Sequence, residues 1–549
     1  MSSGILGTAI SGLLSFQQGL NTAGHNIANV NTEGYSRQRV EFTTRLPQRT
    51  GIGFIGSGVE VSNVSRVYDQ YLVNQLRMSS STFAELDSFH TLASRIDNFM
   101  AEQETSVATV LQSFFNAVQE VANDPTSIPA RQVLLSEAST LTDRFVGTDK
   151  MFDDLRSEIN QSLTGAVTEI NDLASSIAEL NEQISAALGA TDGKPPNDLL
   201  DQRDVLLKRL AEKVDVTTVA QDDGKVNVFI GNGQALVLGS TAAELGVQRS
   251  GFDASQLDIT FKASSGSPVV VTRHMSGGEV GGTLRFREEV LDPAQRQLGV
   301  VAAGLVEEFN QLHRLGYDLS GGASGTGNDF FAPLKIDVLG QSGSATAVFN
   351  ANAQDLKASD YSLTVDAAGT TFTLTRLSDK QVVGSNATGT FSVDGMDISV
   401  SGVSGGESFL IRPALSVSGQ MAVNITDPKK IAAAAGDTAS GSIGDNEIAL
   451  KLSGLQNRAI LLGSSTTLHD AFGQIVVDVG AKTRSADINR SAQEAVLNQA
   501  MEAREALSGV NLDEEAANLV KFQQAYQAAA QLVGVANTLF DTLLGTFRR

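Results

Sequence analysis

Apolar residues recur alternately every four and three positions at both ends of the chain. Near the start they fall at Leu6, Ile10, Leu13, Leu20 and Ile27, with Gln17 and Gly24 completing the series. Near the end they fall at Leu512, Ala516, Leu519, Tyr526, Ala530, Val533, Phe540 and Leu544, interrupted by Gln523 and Asn537, with Gly545 as a helix stop. A 3.5-residue repeat turns one stripe of a helix toward a partner, so both ends are predicted to be coiled-coil helices. Polar residues in such a seam weaken it but fix register and partner number. Two arrangements satisfy the pattern: a helical hairpin inside one domain, or seams completed by other subunits. Closing a flexible loop of this length costs on the order of 5 kcal/mol unless a folded middle holds the ends close. A lone helix pair must also offset about 1 to 2 kcal/mol of backbone entropy per residue, which favours completion by other subunits.

Inward, helical spacing runs from Phe83 to Val121 and is broken by Pro125 and Pro129 of NDPTSIPAR. Pro129 is placed to open a helix through Leu134, Leu141, Phe152, Ile159, Ile170 and Ile184, which would be roughly 80 Å long if continuous to Leu188. In KPPNDLLDQRDVLLKRLAEKV, Asn197 is the expected N-cap and Asp198 a first-turn carboxylate. Asp198, Asp201 and Asp204 share a face; metal or acid/base chemistry is conceivable there, but no histidine is near, and a solvated acidic face partnered by Arg203 and Lys208 is expected.

Residues 24–35, GHNIANVNTEGY, end the first helix in turn chemistry, with Asn29, Asn31 and Gly34 able to take left-handed backbone. Gly51, Gly53 and Gly56 match G-x-G-x-x-G, yet Val59, Val61 and Val64 continue as a strand where a nucleotide site needs a helix, so a glycine-rich β turn is expected. Strand patterns occupy Val216 to Arg287, helical spacing returns from Glu288 to Leu315, and HRLGYDLSGGASGTGNDFF at 313–331 reads as a polar glycine-rich turn region. YSLTVDAAGTTFTLTR and GTFSVDGMDISVSG read as hairpins between Phe331 and Leu415, and helices resume from Asp427. The fold class is α+β multidomain: terminal coiled-coil helices and a long-helix bundle with inserted β-rich domains.

Composition narrows the chemistry. The 549 residues carry 40 basic and 62 acidic side chains, net -22, and no basic patch, which disfavours nucleic acid and anionic membrane as partners. There is no cysteine. The first basic residue is Arg37, so no secretory signal peptide is expected, and no apolar run reaches the roughly 18 residues of a membrane span. His25, His90, His274, His313 and His469 show no metal-ligand spacing and no G-x-S-x-G motif occurs; no enzyme, cofactor or metal is expected.

SGLLSFQQGLNTAGHNIANVNTEGYSRQRVEF at 11–42 and SGVNLDEEAANLVKFQQAYQAAAQLVGVANTLFDTLLG at 508–545 resemble the terminal motifs of the bacterial flagellar rod, hook and hook-associated protein family. NDPTSIPARQ at 123–132, NDLLDQRD at 197–204 and FNQLHRLGYDLSG at 309–321 resemble its hook-filament junction members. The resemblance implies a structural protein exported through the flagellar type III apparatus and held beforehand by a chaperone at its C-terminal region. It would then form an extracellular layer between hook protein subunits and a second junction protein. It also implies a terminal assembly domain from 1–65 with 505–549, a helical rod from 66–215, 285–325 and 430–504, a small β-rich domain at 216–284 and an outer one at 326–429. Leu6, Ile10, Leu13, Gln17, Leu20, Ile27, Leu512, Leu519, Gln523, Tyr526, Val533, Asn537 and Phe540 are the expected assembly residues. A flagellin or hook-type subunit of the same family is the alternative.

Overall fold

The computed structural model describes residues 2–50, 53–102, 106–191, 193–263, 266–321, 325–340 and 344–547. Helix α1 (Ser2–Ala28) leads into a two-stranded antiparallel ribbon of β1 (Gln38–Thr44) and β4 (Val59–Arg66). A second antiparallel pair, β2 (Gln48–Thr50) and β3 (Gly53–Ile55), lies between them in the chain. Of the glycine motif, Gly53 lies in β3 and β4 follows Gly56, as expected of a turn between strands, while Gly51 lies outside the described residues.

The body is built from long helices. The Asp69 carboxylate caps α2 (Gln70–Ala101) by accepting from Tyr71 N–H at 2.7 Å. The expected single run from Phe83 is two helices, because Ser106 caps a new start at α3 (Val107–Asn123). Ser127 and Pro129 open α4 (Ile128–Ala190), whose 63 residues extend about 95 Å at 1.5 Å per residue. Arg131, wholly enclosed, anchors the preceding turn by donating to the Pro125 and Ile431 carbonyls.

Helix α5 (Asn197–Lys213) corrects one expectation: Pro196 holds the cap position, and Asn197 is helical, its side-chain amide donating to the Val64 carbonyl. A second correction lies at residues 278–287. Read as strand, they form α6 (Gly278–Phe286), which runs through a wide turn (Arg287–Leu291) into α7 (Asp292–Arg314). Glycines there suggest strand punctuation, but they serve close helix packing: a Cβ on Gly282 would lie 2.2 Å from the Glu85 carbonyl of α2. The wide turn accommodates Pro293, which lacks the N–H that would reach Glu289; the Lys482 ammonium takes that carbonyl instead.

After residue 427 come only short turns, then α8 (Glu447–Gly454), α9 (Leu468–Ser508) and α10 (Leu512–Phe547). In the expected turn region after Leu315, residues 322–324 lie outside the described ones, and Phe330 and Phe331 belong to the body's core. Rings of Phe114, Phe309, Phe330 and Phe331 meet there at centroid distances from 4.9 to 6.3 Å.

Strands between 216 and 270 form small sheets of four and three strands beside α4. Strands from 337 to 412 form sheets of five and three around a separate core that includes Tyr361, Leu374, Phe391 and Ile411. Both expected hairpins form, pairing Val365 with Phe372 and Val393 with Met396; the second turns through Asp394 and Gly395, both left-handed.

His313 supplies a pH prediction. Ala432 N–H donates to its Nε2 at 2.8 Å and Nδ1–H faces the Asn328 carbonyl, so the ring is neutral, and burial lowers its pKa to about 4. The charged ring is easier to form unfolded, with a pKa near 6.5. Its stabilisation is therefore present above pH 6.5 and declines as pH falls toward 4, by about 3 kcal/mol at the limit. Burial raises the carboxyls of Asp149 and Glu308, which opposes this trend. His313→Gln should flatten the acid side of the urea-midpoint profile between pH 6.5 and 4; an unchanged slope would contradict the assignment.

Candidate assembly interface

The terminal helices α1 and α10 pack antiparallel: Gly12 faces Ala529 and Gly19 faces Phe522. A Cβ on Gly19 would sit 3.0 Å from the Phe522 ring, so this glycine sets how closely the helices approach. Ala9, Gly12, Gly19 and Ala23 on α1 and Ala529 and Ala536 on α10 are buried between or beside them. Phe42 of β1 closes the pair, 6.3 Å from the Phe16 ring and 5.9 Å from Phe522. The in-chain seam is thus made of small residues packed against the rings of Phe16 and Phe522, displaced by one position on α1 from the large apolar series.

That large series sits at the edge of the pair or outside it. Leu6, Leu13, Leu20, Ile27, Leu519, Tyr526 and Val533 are half-buried, whereas Ile10, Gln17, Leu512, Gln523, Asn537 and Phe540 are exposed. Leu14 on α1, and Leu532, Val535 and Leu539 at helical spacing on α10, are exposed as well. A soluble chain seldom leaves so much apolar helix surface uncovered unless something else covers it.

Polar contacts fasten this pair to the helical body. Arg66 at the end of β4 is nearly buried and bridges Asp201 at 2.7 Å and Asp204 at 2.8 Å on α5. Burial opposes its charge, but the two carboxylates more than offset that and raise its pKa. Asp201 also accepts from Ser36 N–H at 2.9 Å, and exposed Asp198 accepts from the Gln38 amide at 2.8 Å. The expected solvated acidic face is therefore a docking face for the N-terminal segment. Its expected partner Arg203 turns inward to Asn181 and the Gly224 carbonyl, while Lys208 lies 3.5 Å from Glu33.

The same segment binds the far end of the chain. Arg37 grips Glu514 at 2.6 Å and Glu515 at 2.7 Å, and Arg504 donates to the Gly34 and Tyr35 carbonyls. Tyr35, whose hydroxyl is raised by burial and by Asp198, Asp201 and Glu515, stays protonated and donates to Asn26 at 2.7 Å. Gly34 is left-handed and a Cβ there would strike Val205. Asn29 and Asn31 do not share that conformation; Asn29 acts through its side chain, accepting from the Thr32 hydroxyl at 3.1 Å. Arg66, Arg504 and Glu515 escaped the sequence reading. Glu515 stands in a run of three first-turn carboxylates, Asp513 to Glu515, and nothing local distinguishes it from its neighbours.

Among the described residues no group of three His, Asp or Glu side chains is placed to hold a metal ion, and no helix is long and apolar enough to cross a membrane. Terminal helices fastened to a body of long helices, with β-rich units inserted in the chain, define a multidomain α+β protein built on long helices.

Family models match in that order along the chain: a flagella basal body rod protein model at 6–35 and the FlgK hook-associated helical domain at 93–331. A hook-associated protein 1 D2-like domain follows at 340–413, then the flagellar basal body rod FlgEFG C-terminal model at 505–546. Flagellar hook-associated protein 1 of Escherichia coli is 35% identical, with 99% of each chain covered, and that of Salmonella typhimurium is likewise 35% identical over 99% of each. The Bacillus subtilis relative is 26% identical over 98% of this chain and 97% of its own. The solved flagellar hook junction protein FlgK from Burkholderia pseudomallei superposes with a TM-score of 0.72 at 26% identity, covering 79% of this chain and all of that one. The chain belongs to the flagellar hook-associated protein 1 family.

Proposed function

We propose that this chain is a structural axial protein of the bacterial flagellum that forms the junction layer between hook and filament. The full-length relationship to flagellar hook-associated protein 1 carries this reading. The uncovered apolar surface of α1 and α10 supports its mechanism. In this reading the expected assembly residues, together with Leu14, Leu532, Val535 and Leu539, meet other subunits: copies of this chain laterally, hook protein on one side and the second junction protein on the other. Before export through the type III apparatus, a chaperone covers α10, because an exposed apolar repeat invites premature association. The terminal pair (1–65 with 505–549) then forms the inner layer, the helical rod the middle, and the β-rich units the outside, in the extracellular part of the flagellum. Its role is mechanical and involves no catalysis. A flagellin-type or hook-type role is disfavoured, because the interior matches hook-associated models along 93–331 and 340–413.

Immunogold labelling of intact flagella tests the placement. A single narrow band where hook meets filament is expected. Label spread along hook or filament would overturn it.

A further inference from the structure

Two surface features away from the α1–α10 seam complement one another. The first is the β2–β3 pair, an apolar projection on basic ground. Leu46 is 91% exposed and Phe54 is 73% exposed, with Ile55 beside them. Residues 37–50 carry Arg37, Arg39, Arg45 and Arg49 against Glu41 alone, in a chain of net charge -22. Arg37 is engaged by Glu514 and Glu515 and Arg45 by Glu60, but Arg39 and Arg49 are exposed and make no ion pair among the described residues. The second is a cleft of about 460 Å³ at the C-terminal end of α1, floored by Tyr35, Leu180, Val205 and Leu206 and edged by Glu33 and Asp198. Both carboxylates keep more than half of their side-chain surface in water. Their partners are loose or neutral: Lys208 and Arg209 stand 3.5 and 3.8 Å from Glu33, His25 3.5 Å from Asp198, and Gln38 donates an amide.

The projection cannot fill its own cleft. Gln38, at the start of β1, already touches Asp198, and β1 then carries the chain away by about 20 Å at 3.3 Å per residue. Gly58, where the chain returns, lies against Thr8 and Ser11 near the beginning of α1, whereas His25 and Asn29 of the cleft are at its end. Those points are about 27 Å apart along a helix rising 1.5 Å per residue.

We infer that the β2–β3 projection of one copy seats in the Tyr35–Leu206 cleft of the next, Phe54 and Leu46 entering the apolar floor while Arg49, on the projection itself, meets Glu33 and Asp198. This rests on the assembly reading above and adds a second contact to it. Projection and cleft are different surfaces of one chain, so the contact is head-to-tail, and its repetition generates a ring or a helix rather than a closed dimer. Because basic projection meets acidic rim, the contact is weakened by salt.

The absence of cysteine makes the test clean. Phe54→Cys and Gln202→Cys both replace exposed side chains, the latter on the cleft wall. Flagella carrying both substitutions would be isolated, treated with a bismaleimide and run on denaturing gels. Dimers and higher species are expected from the double variant and not from either single one. Flagella that contain the double variant in wild-type amount but yield only monomer would overturn the contact while leaving the junction placement intact. Cross-linking within one chain in dilute solution would overturn it too, by showing that the projection reaches its own cleft. Independently, Arg49→Glu with Phe54→Ser should lower incorporation at least tenfold without changing the urea midpoint; wild-type incorporation would refute the proposal.

Discussion

Arg66→Ala should release the terminal helix pair from the body of the protein and cost about 3 to 5 kcal/mol locally, because it strands the buried Asp201 carboxylate and leaves Asp204 without its partner. Arg66 is the residue at which β4 ends and through which the ribbon, and with it α1, is fastened to α5. Faster amide exchange is expected first in residues 29–37 and then in α1 and α10, while the aromatic core around Phe114 and Phe309 keeps its protection. Arg66→Lys should restore only part of the loss, since an ammonium can donate to both carboxylates but does not reproduce the planar guanidinium stacked 4.4 Å over the Tyr68 ring. Replacing Asp201 and Asp204 by Asn in the Arg66→Ala background should recover stability by removing the unpaired charges. Unchanged exchange at 29–37 in Arg66→Ala would show that the terminal pair is held by other means.

Phe540→Asp should leave the isolated chain as stable as before and abolish most of its incorporation into flagella. The ring is 51% exposed, so the monomer has little to lose. In the proposed assembly the same position is covered, and burying an unpaired carboxylate there costs several kcal/mol, a loss of a hundredfold or more. Gly19→Leu is the opposite case. Its side chain would enter the Phe522 ring and force α1 and α10 apart, so both exchange protection and incorporation should fall. Tyr526, also in the apolar series, is half-buried and separates the two effects less cleanly. Normal incorporation of Phe540→Asp in flagella counted by quantitative blotting would remove this part of α10 from the interface.

Periodicity and punctuation were enough for many elements. Pro129 marked the start of α4, alternation marked the strands at 361–376 and 390–401, and the terminal repeats marked α1 and α10. At 278–287, where strand was expected and helix is found, glycine was the cause. Gly281 and Gly282 look like breaks in a linear pattern, yet in the fold they let α6 lie against α2.

The terminal helices show most clearly what belongs to the sequence and what to the fold. A repeat of large apolar residues identifies a helix and its sticky side, because successive residues turn by about 100°. It does not say which stripe the chain covers itself. Small residues such as Gly12, Gly19 and Ala23 carry almost no hydrophobic signal, yet they allow the closest approach and so form the in-chain seam, leaving Ile10, Leu14, Leu532 and Phe540 uncovered. The acidic face of α5 was equally undecided. Asp198, Asp201 and Asp204 were legible as one helical face, but a carboxylate's surroundings depend on residues remote in the chain. Only folding brought Arg66 and Ser36 to Asp201, and Glu514 and Glu515 to Arg37, because these contacts join segments that no local pattern relates.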